Sequence, residues 1–421
     1  MDKFIVKGPS KIKGQVNISG SKNASLPILA ATLLFDKTVE IKNLPKVKDI
    51  DTMLGLIHSL GFIVKRNYKN SSVKITRSKK IKTFTSYSRV KTMRAGILLL
   101  GPLVSKFKKA ECSLPGGCLI GPVRPVNFHL QALCKLGMKY NIKKGYIYAG
   151  VEKNLKGNLI KFPKISVGAT ENTIIAACLA KGKTVLKNCA IEPEIKDLTN
   201  FLFKAGAKIK WIGKRTVEIY GVKSLKSISY SVMGDRIECG TFCVAAAITQ
   251  GNLKIKGLDP KIIKTELDIL KKTGSKIKTS KNLILINGPK KIKNIKELIT
   301  KEWPGFSTDL QAQFMVLFCK ANGRSVIIEN IFQNRFMHVN ELRRLGAIIV
   351  VKNNKAIIEG NSSFDGAELM SSDLRASVAL VLAAMISKGT STISRIFHLD
   401  RGYEQIEKKL RKVGVKIKRI Y

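Results

Sequence analysis

The sequence predicts a mixed α/β fold of two domains, each assembled from three related units. Three observations lead to that expectation. An alanine- and leucine-rich apolar run behind a short polar cluster recurs six times along the 421 residues. An amphipathic stretch stopped by glycine follows each run in step, at Gly61, Gly137, Gly206, Gly274, Gly346 and Gly414. Short β-branched segments stand beside these runs, so helical and strand periodicities alternate within each unit. The six glycines are 76, 69, 68, 72 and 68 residues apart. A unit of that length with two helices and several strands can form a small sub-domain, and three of them reach the size of a domain.

The polar clusters are the predicted helix starts. In chain order they are Gly20-Ser21-Lys22-Asn23, Lys91-Thr92-Met93-Arg94, Gly168-Ala169-Thr170-Glu171-Asn172, Asp235-Arg236-Ile237-Glu238, Ser307-Thr308-Asp309-Leu310 and Ser372-Asp373-Leu374-Arg375. Ser and Asp there can accept the N–H groups that a first helical turn leaves unpaired. The second elements cover 57–61, 130–137, 198–206, 267–274, 342–346 and 406–414, each with glycine where a helix turns into the left-handed region. Thr184-Val185-Leu186, Ser325-Val326-Ile327-Ile328 and Ala347-Ile348-Ile349-Val350-Val351 read as strands.

Cations are unusual at helix starts, where the macrodipole disfavours them by roughly 0.3–1 kcal/mol. Lys22, Arg94, Arg236 and Arg375 nevertheless stand in or near a first turn. Taken singly, Asp235 with Arg236 and Asp373 with Arg375 read as ordinary caps beside solvated cations. Recurrence of the pattern favours a shared site for phosphate or carboxylate, built from backbone N–H groups and side-chain cations.

Composition narrows the classes. With 76 Lys and Arg against 29 Asp and Glu, the formal charge is +47. The lysines are scattered, as in Lys79-Lys80, Lys143-Lys144 and Val415-Lys416-Ile417-Lys418, with no basic tail or aromatic array. A lysine-biased surface explains them, and nucleic acid is not expected as a partner. Eight cysteines include no C-x-x-C pair, Cys239 and Cys243 share a helical spacing, and no signal-peptide run follows the start. A reducing cytoplasm is therefore the expected location. No apolar run reaches the roughly 18 residues of a membrane span. His58, His129, His338 and His398 are far apart, so no metal site is expected.

Cys118 differs from the other cysteines. It lies in Ser113-Leu114-Pro115-Gly116-Gly117-Cys118-Leu119-Ile120-Gly121-Pro122-Val123-Arg124-Pro125, which has too much Gly and Pro for a helix or central strand and reads as an exposed loop. A cation such as Arg124 nearby favours the thiolate, making Cys118 a candidate proton donor or nucleophile. A chance surface cysteine is the other reading of the same residues.

Longer motifs now carry a resemblance. Ser19-Gly20-Ser21-Lys22-Asn23-Ala24, Pro115-Gly116-Gly117-Cys118, Asp235-Arg236-Ile237-Glu238, Thr308-Asp309-Leu310-Gln311-Ala312-Gln313, Glu329-Asn330 through Asn334-Arg335-Phe336-Met337-His338, and Asp400-Arg401-Gly402-Tyr403 resemble the UDP-N-acetylglucosamine enolpyruvyl transferases. The likeness runs from Met1 to Tyr421. It implies two inside-out α/β prism domains, each with threefold pseudo-symmetry, flanking a substrate cleft. The first strand then belongs with the C-terminal domain, giving one domain at 22–229 and another at 1–21 plus 230–421. The implied activity moves the enolpyruvyl group of phosphoenolpyruvate onto the 3-hydroxyl of UDP-N-acetylglucosamine and releases phosphate, the first committed step of peptidoglycan synthesis. It implies no metal and no organic cofactor.

The same resemblance implies the site. Lys22, Asn23, Arg124, Arg335, Arg375 and Arg401 correspond to positions around phosphoenolpyruvate. Cys118 corresponds to the proton donor and Asp309 to the base or orienter of the sugar hydroxyl, with Lys22 and Arg401 beside them. Asn23, Arg94, Arg124, Pro125, Val126, Asn127, Phe128, Lys164, Ile165, Ser166, Val167, Asp309 and Ile331 correspond to positions around the nucleotide sugar.

Three positions depart from the family pattern: one residue more separates Cys118 from Arg124, Asn127 replaces an aspartate, and Ser307 replaces a proline. The last is expected to loosen the approach to its helix. A sister enzyme acting on shikimate 3-phosphate is disfavoured by the Pro115–Cys118 motif. A catalytically decayed, basic RNA-binding protein is disfavoured by the joint presence of Lys22, Cys118, Asp309 and Arg401.

Overall fold

The computed structural model describes residues 2–114, 116 and 126–421. The chain divides into two compact units, a terminal one of residues 2–19 and 234–421 and a middle one within 20–233. It leaves the first after Ser19 and returns after Met233.

Each unit contains three four-stranded sheets with one shared pattern. In the middle unit, Ser229–Ser231 runs parallel to Val39–Lys42, which pairs antiparallel with Ser72–Thr76 and through it with Ile63–Asn67. Leu159–Lys161 and Phe84–Thr85 begin the other two sheets in the same way. In the terminal unit the sheets begin with Glu297–Ile299, Glu368–Met370 and Lys13–Asn17. The N-terminal strand Lys3–Gly8 lies between Gly389–Ser394 and Lys416–Ile420, completing a sheet made otherwise from the end of the chain.

The parallel pairs show how a unit is wound. Leu159–Lys161, the helix Val167–Ala177 and Lys183–Lys187 form a crossover, and Glu297–Ile299 to Ser325–Ile328 repeats it. Two strands are exchanged. Lys13–Asn17 precedes the helix Lys22–Ala31 in sequence but pairs with Asn252–Lys256, while Ser229–Ser231 precedes Arg236–Ile248 but pairs with Val39–Lys42.

Helices, not sheets, fill the centre of each unit. Every residue of Arg236–Ile248 and of Gln311–Cys319 is buried, as are all but the last of Leu374–Ile386. A helix apolar on all faces must be enclosed on all faces, which is why the alanine-rich runs lie inside. The glycine-stopped helices are amphipathic and pack one face only. Lys264–Lys272, for example, buries Glu266, Leu267 and Leu270. The stopping glycines have φ of 99°, 101°, 95°, 105°, 107° and 102°, a left-handed turn that costs other residues strain. Lysines alternate outward along the strands, as in Lys416–Ile420, where Ile417 is buried and Lys416 and Lys418 are exposed.

The second predicted helix start differs in detail. Arg94 opens a 3₁₀ turn, Arg94–Leu99, and the α-helix begins only at Leu100. Pro102 falls in the first turn of that helix, where a residue without N–H is well suited. The described cysteines are all free thiols. No helix among the described residues is long and apolar enough to cross a membrane.

Candidate active site

In the terminal unit, polar residues gather where the central helices begin. Asp235 and Asp373 cap their helices as their spacing predicts, each accepting two backbone N–H groups of the following turn. Arg236 and Arg375 beside them are buried, which rules out the solvated-cation reading. Ser307 caps the third start by accepting the Asp309 N–H at 3.3 Å. The serine that replaces proline therefore supplies a cap to this turn.

Asp309 is the centre of the cluster. Its Oδ1 accepts from Arg335 Nη2 at 2.8 Å and its Oδ2 from Arg375 Nη2 at 2.7 Å. The arginine side chains are 5% and 8% exposed, while Asp309 keeps 24%. Burial opposes the Arg375 charge, but Asp309, with Tyr403 and Asp235, outweighs it and raises the pKa of the guanidinium. An ionised carboxylate offers about four lone-pair sites, so Asp309 can hold both arginines and still accept from a hydroxyl.

Further groups brace the cluster. The Tyr403 hydroxyl meets Thr241 Oγ1 at 2.8 Å and accepts from Gln313 Nε2 at 3.3 Å, and Arg375 lies over its ring. His338 is buried next to Arg335; burial, reinforced by that charge and opposed by Asp373, lowers it to about 4. Arg401 is half-buried at the end of a 3₁₀ turn, Ile396–Arg401, where burial and its charge together lower His398. Asp400 binds Arg419 through both oxygens, at 3.1 and 2.5 Å. Ile331, half-buried, donates its N–H to Glu329 at 2.8 Å.

The middle unit holds a second group of expected residues. Ser21 caps Lys22–Ala31, and Lys22 Nζ lies 3.3 Å from Asp49 in a pair that is largely buried. Asn23 is half-buried beside it. Asn127 and Phe128 open the helix Asn127–Lys135, whose His129 is buried. Burial, with the Arg94 charge, holds His129 down at about 3. Its Nδ1 is 3.1 Å from Asn172 Nδ2, and Asn172 Oδ1 accepts from the Gly101 N–H at 2.9 Å. Ser166 caps Val167–Ala177, with Ile165 half-buried and Lys164 and Val167 exposed. The segment thus opens a helix. Cys118, Arg124 and Pro125 lie outside the described residues, and Val126 just after them is buried.

The structure therefore unites Asp309, Arg335 and Arg375, and it places Arg94 within electrostatic reach of the helix carrying Asn127 and Phe128. It also answers part of the charge anomaly at the helix starts, since Lys22 and Arg375 face carboxylates of the protein itself. Sequence reasoning missed Asp49, because an acid in the first turn of Lys48–Ser59 looks like ordinary dipole compensation. Asn172 sits inside a predicted helix start and Glu329 inside a motif, but nothing local marks Gly101 and His129 as partners of the one or Thr300 and Thr308 as partners of the other.

Comparison with known proteins gives the lineage of the chain. The family model described as EPSP synthase (3-phosphoshikimate 1-carboxyvinyltransferase) matches residues 6–410. A UDP-N-acetylglucosamine 1-carboxyvinyltransferase of Pelagibacter ubique is 66% identical over 420 residues, covering 100% of both chains. One from Endomicrobium trichonymphae is 49% identical over 424 residues, again covering 100% of each. Among solved structures, the enolpyruvyl transferase NikO from Streptomyces tendae has a TM-score of 0.89 at 21% identity, covering 99% of this chain and 98% of its own. EPSP synthase from Acinetobacter baumannii has a TM-score of 0.78 at 18% identity, covering 100% of both. The two structures establish the shared fold, the family model and the full-length relatives the lineage: this chain belongs to the EPSP synthase family and, within it, to the UDP-N-acetylglucosamine 1-carboxyvinyltransferases.

Proposed function

We propose that the chain transfers the enolpyruvyl group of phosphoenolpyruvate to the 3-hydroxyl of UDP-N-acetylglucosamine, as a cytoplasmic enzyme of peptidoglycan synthesis. The observation that carries the choice of acceptor is the 66% identity, over the full length of both chains, with the Pelagibacter protein of that name. Its fold is shared with enzymes of other acceptors, so fold alone does not choose.

The reaction proceeds by addition and elimination. The sugar oxygen attacks C2 of phosphoenolpyruvate as a proton reaches the C3 methylene, and the hydroxyl proton is lost. The tetrahedral adduct then expels phosphate as the C3 methyl returns a proton, leaving the enol ether. In this reading Cys118 supplies the proton to C3. Asp309 orients the hydroxyl and accepts its proton, supported by the two arginines that hold its carboxylate in place. Lys22, Asn23, Arg124, Arg335, Arg375 and Arg401 serve the phosphate and carboxylate of phosphoenolpyruvate, for which fixed cations are suited. Asn23, Arg94, Asp309, Ile331, residues 124–128 and residues 164–167 serve the nucleotide sugar. Holding two substrates in one orientation supplies several kcal/mol of barrier reduction, on the order of the larger effects in catalysis.

Phosphate release from phosphoenolpyruvate tests the reading, with UDP-N-acetylglucosamine present, absent or replaced by shikimate 3-phosphate. Release only with the nucleotide sugar supports it. Release with shikimate 3-phosphate, or with neither acceptor, overturns it.

A further inference from the structure

We infer that Glu329 is a positioning residue for this reaction, a carboxylate that clamps the two segments carrying Asp309 and Arg335. The inference rests on the proposed function only for its kinetic consequence. Its geometry belongs to the terminal unit alone.

Glu329 is 3% exposed and follows the strand Ser325–Ile328. Its Oε1 accepts three donors: the Thr300 hydroxyl at 2.9 Å and the N–H groups of Ile331 at 2.8 Å and Phe332 at 3.0 Å. Its Oε2 accepts the Thr308 hydroxyl at 2.8 Å. Thr300 extends the clamp, since its oxygen accepts the Asn330 N–H at 2.9 Å. One side chain thus fixes three successive N–H groups of the irregular segment that leads to Arg335, directly or through Thr300. It also holds the residue before Asp309.

This arrangement meets a geometric need. Residues 331–338 are not in regular helix or strand until Val339, and Asn334 takes a left-handed φ of 54°. Such a segment has no ladder to place Arg335. Yet the Arg335 guanidinium must reach Asp309 at 2.8 Å, with the Thr308 carbonyl 3.5 Å away. Four charge-assisted hydrogen bonds to a buried carboxylate supply the rigidity that the backbone lacks. A misplacement of about 1 Å in a group that orients a reacting hydroxyl can cost on the order of 100-fold in rate.

Two variants separate positioning from simple loss of stability. Glu329→Gln keeps a carbonyl for the three donors on Oε1 and turns its amide toward the Thr308 hydroxyl, which can rotate to accept. Glu329→Ala removes all four bonds. The expected result is a fall in kcat of about 100-fold for Glu329→Ala, with recovery to within about tenfold of wild type for Glu329→Gln. A crystal structure of Glu329→Ala should show Arg335 withdrawn from Asp309 with the central helices unmoved. Equal losses in both variants, or an intact Asp309–Arg335 pair in the Glu329→Ala structure, would overturn the inference. The crystallographic result stands whether or not the wild-type protein releases phosphate, so failure of the clamp and failure of the proposed reaction are told apart.

Discussion

His129 offers a quantitative test because burial, its Asn172 partner and the Arg94 charge all bear on one proton. The perturbation is a fall in pH from 7.5 to 5.0, with His129→Gln as the reference. In the unfolded chain the imidazole titrates near its ordinary value of 6.5, while in the folded unit burial and Arg94 hold it at about 3. The folded form therefore excludes a proton that the unfolded form takes up. Stability is complete above pH 6.5 and declines as pH falls, until the folded imidazole itself protonates near 3. Each pH unit below 6.5 removes roughly 1.4 kcal/mol, so pH 5.0 removes about 2 kcal/mol through this residue. No discount for solvent is needed, because His129 is only 6% exposed.

Urea unfolding at both pH values gives the comparison. Other titrating groups, His338 among them, act alike in both proteins and cancel in the difference. Wild type should lose about 2 kcal/mol more than His129→Gln between pH 7.5 and 5.0. NMR titration supplies a direct check, as the His129 ring should remain neutral at pH 5. An equal pH dependence in the two proteins, or a His129 midpoint near 6.5, would refute the reasoning.

Other perturbations address the candidate site and its supports. Asp309→Ala leaves two buried guanidinium groups without their shared carboxylate, and should cost about 3–5 kcal/mol of stability in urea as well as abolishing phosphate release. Ser307→Ala removes the cap on the Asp309 N–H, so a loss of about 1 kcal/mol is expected in the same measurement. Gly20→Ala would set a Cβ 1.7 Å from the Asn43 carbonyl oxygen, ahead of Ser21 and Lys22. Backbone must move there, and a loss of about 1–3 kcal/mol with weaker phosphoenolpyruvate binding should appear in calorimetry. A Gly20→Ala protein as stable as wild type would refute that placement.

Much of the site's framework was legible because it is made by short-range hydrogen bonding. Asp235 and Asp373 cap the turns they precede, and the six stopping glycines have the left-handed φ that a helix end requires. These features depend on residues within a few positions of one another. The partners of the charged groups were not legible. Lys22 meets Asp49 across 27 residues, and Asp309 meets Arg375 across 66. Arg236 and Arg375 are buried by helices that a local pattern cannot bring together. Glu329 belongs to the same class, since its bond to Thr308 spans 21 residues.

The six-fold repeat, its glycine stops, most of its helix starts and the family to which the chain belongs were legible in the amino-acid sequence alone. Each of these is a property of local periodicity or of ordered motifs. That Lys13–Asn17 and Ser229–Ser231 exchange sheets, and that Asp309 is held by Arg335 and Arg375, emerges only once the chain is folded. One cause underlies both. Sheet edges and buried charges take partners by geometric fit and by the cost of leaving polar groups unpaired, and that cost acts through space without regard to distance along the chain.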